Sequence, residues 1–439
     1  MNPVCSGISY FTAMREDVLQ FIWGKNKGLQ KGLTTTNNSP ITIVTPGVLN
    51  RMAGPDFYNA HIIIDGQEWF GTVEVHVRSS DWYRHKHGID PNYKNVILHV
   101  VWEDDAPVKD HLGTNIPTLQ LKGYIPQSEL KKYKRFHTTE NSRFINCEKD
   151  LYIVPKEIKG KWLAVMQHQR LHEKSIFINE LLQSKKNDWE YVFFVLLLKS
   201  VGLNHNGNAF MSLAKAIDFS IIRKIGRNSF QIESLFFGLS GLLGEERPAE
   251  PYYLKLKKEY RYLKTKFQLN ELAVIKPEFF KLRPFNFPTI RLSQVASLYG
   301  RNANLFQDLI AQNKLEGLYN ILQVKASDYW DTHFNFGKIT SFKPKKMSST
   351  FQDLLIINAV LPMKYTYNVY KGIDVSETIR EIGAKMTVEK NELIRNFKTA
   401  GIAINSANGS QALLQLYKNY CTRNKCLQCS LGSYLLSGK

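Results

Sequence analysis

The sequence predicts an α+β module over residues 1–150 followed by a mostly helical region over 151–439, with a possible further boundary near 275–285. Three observations carry this expectation. From about 41 to 122 apolar residues alternate with polar ones in short runs, the period of strands. From about 155 onward the apolar period becomes helical. And 439 residues exceed what one ordinary core serves.

Taken in order, Met14, Val18, Phe21 and Ile22 form one stripe, which predicts an amphipathic helix over 13–23. Strands follow in "ITIVTPG", "FYNAHIII", "EWFGTVEVHVR", "NVILHVVWE" and "IPTLQLKG". Asp65-Gly66 is a two-residue hairpin turn signal between the second and third of these. "NVILHVVW" is apolar on both sides and reads as a central strand of a small sheet sandwiched by helices, with His99 as a satisfied core histidine. "KWLAVMQHQRLHEKSIFINELLQ" and "NDWEYVFFVLLLKSVG" read as helices, the second capped by Asp188 and stopped by Gly202. "RPFNFPTIRLSQVASLYG" breaks and restarts the helical pattern. No signal peptide and no membrane-length apolar segment is visible, so a cytoplasmic location is expected.

The net charge of +19 favours a polyanionic partner, most simply nucleic acid. The basic groups gather at 130–136, 254–267 and 341–349; a solvated lysine-rich surface is the plainer alternative. Tyr260, Tyr262 and Phe267 interleave the second run and could stack on bases or fill a core. Arg283, Asn286 and Arg291 around two prolines suit phosphate contacts, or the pinning of a helix–loop junction. Around Gly337, Trp330, His333 and Lys338 are explained by packing between helices.

The hairpin holds the chemistry. Thr72, Glu74, His76 and Arg78 share one face of its second strand, as they would on a plain solvated sheet face. A site there needs Asp56 on the same face. A strict two-residue loop pairs positions summing to 131 and puts Asp56 opposite Val75, on the wrong side; a three-residue loop sets it opposite His76. Facing carboxylates roughly 5 Å apart repel without a cation between them, which makes a site for Mg²⁺ or Mn²⁺. The loop "SSDWYRHKHGID" follows, and six of the eleven histidines lie between 61 and 111. His85 and His87, at i and i+2, can meet one metal, with Asp81 and Asp90 as oxygen ligands; an exposed polar loop with Asp90-Pro91 as turn chemistry is the alternative.

Pro55-Asp56, a gap of 17 residues, then Glu74-Val75-His76 resembles the PD-(D/E)xK nuclease core, with His where Lys usually stands. The resemblance implies a restriction-endonuclease-like mixed sheet flanked by helices. It implies that Asp56 and Glu74 bind Mg²⁺ or Mn²⁺ and that His76 orients or deprotonates water. Arg78 could supply the fixed positive charge that a His lacks. The further Glu that a preceding helix often adds falls to Glu16, which the helical wheel turns away from the apolar stripe. "GPDFYNA", "GTVEVHVRSSDWYRHKHGIDPNYKNVILHVVW", "RPFNFPTIRL" and "KCLQCSLGSYLL" are also similar to a domain-of-unknown-function family of Bacteroidetes bacteria, which implies no activity.

Five cysteines exclude a disulfide framework. Cys421, Cys426 and Cys429 form C-x4-C-x2-C, and with the distant Cys147 they could hold Zn²⁺ or an Fe–S cluster that ties the chain's end to the junction at 147; ordinary reduced thiols are the alternative. Cys5 stands apart. The expectation is a metal-dependent nuclease acting on DNA or RNA. The alternatives are a nucleic-acid-binding or scaffold protein that has lost cleavage, and a His76/His85/His87 metallohydrolase with another substrate.

Overall fold

The computed structural model describes residues 14–25, 32–50, 52–135, 144–244, 250–270 and 273–437. Cys5 and the end of the basic run at 130–136 lie outside them. The chain forms two compact units: one of residues 1–163, 395–403 and 416–439, the other of 164–394 and 404–415.

The first unit is built on a six-stranded mixed sheet. Helix α1 (Glu16–Lys25) precedes β1 (Ile41–Thr45), β2 (Val48–Leu49), β3 (Phe57–Ile64) and β4 (Gln67–Arg78). The short helix α2 (Asp81–Arg84) leads into β5 (Val96–Glu103) and β6 (Thr118–Gln120). The order is β1-β3-β4-β5-β6, with β2 also on β3; β3 and β4 are antiparallel, while β4, β5 and β6 run parallel. The amphipathic stripe forms as its spacing predicts: Val18, Leu19, Phe21, Ile22 and Trp23 of α1 pack on Phe57, Ile62, Val73, Val75, Leu98 and Val100 of the sheet.

The hairpin turn is the two-residue form, with Asp65 and Gly66 at φ 52° and 79° and Ile64 paired to Gln67. Yet neither expected register holds along its whole length. Ala60 pairs with Gly71, but Phe57 pairs with Val73, so Tyr58 and Asn59 together face Thr72. This β-bulge, with Asn59 at φ 56°, shifts the sum from 131 to 130 and turns Asp56 to the Glu74 side. Asn tolerates left-handed backbone better than most residues, whereas a β-branched side chain there costs about 1–2 kcal/mol. Asn59→Val is therefore expected to destabilise the first unit by about that amount in denaturant titrations, and Asn59→Gly to be tolerated.

The second unit is helical. Asp188 accepts the Tyr191 N–H at 3.0 Å and starts the helix Trp189–Val201, whose residues 191–198 are buried, and Gly202 ends it. Arg291 is buried, donates to Asn286 Oδ1 at 2.6 Å and lies over the Phe351 ring, so it pins its junction and is not presented to phosphate. Lys345 of the 341–349 run is also buried and donates to the carbonyls of Asp331 and Lys343. Trp330 is buried, and His333 stacks on Tyr329. On the helix Pro251–Phe267, Tyr260 is core, while Tyr262 and the lysines at 255, 258, 264 and 266 are exposed. No helix among the described residues is long and apolar enough to cross a membrane.

Candidate functional site

The polar face of β4 is not a solvated sheet face: Glu74 is 5% and His76 1% exposed. The cover comes from the segment after β4, where Trp82 and Tyr93 are buried with Val96, Val108 and Ile116 in a small second core. The loop is exposed over most of its length, as the exposed-loop reading has it, but Trp82 and Tyr93 turn inward and cover this face. The remaining histidines of the segment sit under and around it.

Three carboxylates converge beside β4. The Asp56 N–H donates to Glu74 Oε2 at 3.0 Å, and the Val75 N–H donates to Asp56 Oδ2 at 3.1 Å. From α1, the Gln20 amide donates to Asp56 Oδ1 at 2.9 Å and to Glu16 Oε1 at 3.3 Å. Glu16 does point away from the apolar stripe, but towards these acids and not into water. Burial, then the charges of Asp56, Asp81 and Asp17, push its carboxyl up to about 7. Burial drives Asp56 and Glu74 upward as well, and Glu74 further because Asp56 and Glu16 face it.

On the other side of Glu74 lies a chain of imidazoles. His76 Nδ1 is 2.8 Å from His99 Nε2, and His76 Nε2 is 3.1 Å from His85 Nδ1. Glu74 Oε1 lies 3.5 Å from His76 Nε2 and 3.4 Å from His87 Nε2. Ligand nitrogens of His76, His85 and His87 fall within 4.8 Å of one another, close enough to share one metal ion. Burial, with the neighbouring rings, pulls His76 down to about 2, His87 to about 4 and His99 to about 3, so all three are neutral near pH 7. His87 Nε2 and His99 Nδ1 are buried without a hydrogen bond. His87 also stacks on Tyr93, 3.8 Å between ring centroids. Glu74 therefore touches both a hard-oxygen cluster and a nitrogen cluster.

The remaining expected ligands stand apart. Asp81 accepts the Arg78 N–H at 3.1 Å and pairs with Arg84 at 2.8 Å, so it fixes the turn from β4 into α2. Asp90 accepts from Asn92 in turn chemistry. The Arg78 side chain is exposed. Sequence reasoning missed Gln20, which bridges two acids, and Arg84, whose charge acts on both Glu16 and His76. It also read His99 as satisfied; the ring is buried, but only one nitrogen has a partner. Gln20 was legible as the i+4 neighbour of Glu16. Arg84 had no comparable signal.

Fold and site together define a mixed-sheet protein with a buried carboxylate–imidazole centre at an antiparallel hairpin. The chain belongs to the family described as "Protein of unknown function (DUF2851)", which matches residues 16–392 and so includes this centre. No curated protein and no solved structure matches the chain.

Proposed function

We propose that the chain is a metal-dependent nuclease that hydrolyses phosphodiester bonds of DNA or RNA. The observation that carries this reading is the meeting of Glu16 from α1, Asp56 just before β3 and Glu74 from the antiparallel β4, with His76 two residues beyond Glu74. This placement is similar to the PD-(D/E)xK core: a helix before the sheet, acids on neighbouring strands, and a parallel strand next to the second. Three carboxyl groups gathered together, each held above its ordinary pKa first by burial, with Asp56 raising Glu16 and Glu74 further, suit a hard divalent cation. Mg²⁺ or Mn²⁺ there would supply Lewis acidity to a phosphate and to an attacking water.

The chain's own residues would do the rest. His76, neutral at pH 7, can take a proton at one ring nitrogen while His99 holds the other. Arg78 at the end of β4 and Arg84 at the end of α2, both exposed, would contact the scissile phosphate. The exposed lysines of the helix Pro251–Phe267 would add attraction for a polyanion that weakens with salt.

A second reading, a metallohydrolase centred on His76, His85 and His87, is favoured by the closeness of those nitrogens, since imidazoles suit Zn²⁺ and related ions. The test compares wild type with Asp56→Ala on single-stranded and duplex DNA and on RNA, with Mg²⁺, Mn²⁺ or Zn²⁺. Cleavage that needs Mg²⁺ or Mn²⁺ and disappears in Asp56→Ala, with nucleic-acid binding retained, is the expected result. Cleavage unchanged in the variant excludes this centre. Binding without cleavage in wild type leaves a nucleic-acid-binding protein, and hydrolysis of other esters with Zn²⁺ alone selects the histidine reading.

A further inference from the structure

A second cluster of ligand-type side chains lies in the first unit. Cys147, Cys421, Cys426 and Cys429 are thiols outside any disulfide, and none is exposed. Cys426 and Leu436 join the sheet core, with Cys147, Leu427 and Leu435 packed against it. Asn146 fastens the two segments, its amide donating to Asn424 Oδ1 at 3.0 Å and lying 3.6 Å from Cys426 Sγ. Gly432 passes so close to the Cys426 carbonyl that an added Cβ would lie 2.2 Å from its oxygen, so the C-x2-C turn closes tightly against the last helix, Ser430–Ser437. Residues some 280 positions apart in the chain thus bring four thiols to one place.

Donors are aimed at the sulfurs. The backbone N–H groups of Leu431 and Gly432 bond to Cys429, and the Asn146 amide to Cys426. Trp162 Nε1, buried without an oxygen or nitrogen acceptor, also favours the Cys429 thiolate. Such donors stabilise thiolates, which is what a metal ligand must be and a packed thiol need not be.

The spacing of the sulfurs selects the kind of centre. One zinc holds sulfurs at about 2.3 Å, which draws them to roughly 3.8 Å from one another. Among the described residues, the one trio of His, Cys, Asp or Glu ligand atoms all within 4.8 Å of each other is His76, His85 and His87, so no three of these sulfurs are that close. They are therefore not gathered as closely as one ion draws its ligands.

We infer that Cys147, Cys421, Cys426 and Cys429 bind an iron–sulfur cluster that fastens the chain's end to the sheet unit. This centre is separate from the carboxylate–imidazole site and stands or falls without it. The test is iron, acid-labile sulfide and zinc content of full-length protein purified anaerobically, with its visible absorption. Iron and sulfide in near-equal amounts are expected in wild type and in Asp56→Ala, falling roughly tenfold or more in Cys147→Ser and in Cys426→Ser. Zinc without sulfide, or no metal at all, overturns the cluster. Full iron and sulfide in a folded serine variant overturns that cysteine as a ligand. If the serine variants do not fold, the sulfide content of wild type still decides.

Discussion

Glu74→Gln is expected to lower metal-dependent cleavage roughly 10³-fold or more, about 4 kcal/mol of transition-state stabilisation, while making the metal-free protein more stable. Both effects come from one position. Glu74 is the acid that touches both clusters of the centre: the Asp56 backbone through Oε2, and His76 and His87 through Oε1. An amide at this position can still accept the Asp56 N–H, so the hairpin keeps its geometry. It removes a carboxyl whose ionisation burial, Asp56 and Glu16 resist, so that without a cation the folded chain no longer has to hold a proton there. The gain on the metal-free protein should be on the order of 1 kcal/mol, or about 2–4 °C in the transition of a unit this size. Thermal denaturation in chelator, run beside cleavage assays in Mn²⁺, gives both numbers. A variant that loses activity and stability together would mean that Glu74 serves the fold and not a cation.

The hairpin was legible because its turn residues and alternation agree, and local agreement of this kind survives in the folded chain. What could not be read was the side Asp56 faces. That depends on one extra residue at Tyr58–Asn59, and a bulge leaves only a faint trace, an Asn amid β-formers. Glu16 shows a different limit. The wheel placed it correctly relative to the apolar stripe, but whether the opposite side of a helix meets water or other acids is a tertiary fact. The segment after β4 failed for a related reason: Trp82 and Tyr93 are few among polar neighbours, so periodicity could not reveal that they bury His87 and His99 beneath them. Lys345 shows the reverse error, since a basic run hides which of its members the fold turns inward onto carbonyls. Propensity and spacing speak for neighbours in sequence; this centre is assembled from five separate segments.

The same assembly should make the stability of the metal-free protein peak near pH 6.5, because two sets of buried groups pull in opposite directions. His76, His87 and His99 have folded pKa values of about 2, 4 and 3, below the unfolded 6.5. In that window the unfolded chain binds more protons, so stability rises with pH and is lost on acidification below 6.5. Glu16, at about 7 in the fold against 4.5 unfolded, does the opposite, and Asp56 and Glu74 are displaced in the same direction. For these the folded state binds more protons, so stability falls as pH climbs through their raised values. Below 6.5 three imidazoles and three carboxylates largely offset each other; above it the imidazoles are neutral in both states and the carboxylates act alone. Besides Asp56, the charges facing Glu16 are Asp81 and Asp17, which raise it, and Arg84, which eases its ionisation. The melting temperature in chelator should therefore drop between pH 6.5 and about 8, and the drop should be smaller in Glu16→Gln, with wild type as the reference that cancels distant groups. Saturating Mn²⁺ should remove the drop, since a cation binds only the deprotonated acids and its affinity grows with pH. A chelated wild type whose melting temperature is flat across that interval, or equal in slope to Glu16→Gln, would show that the three carboxylates do not share one buried space.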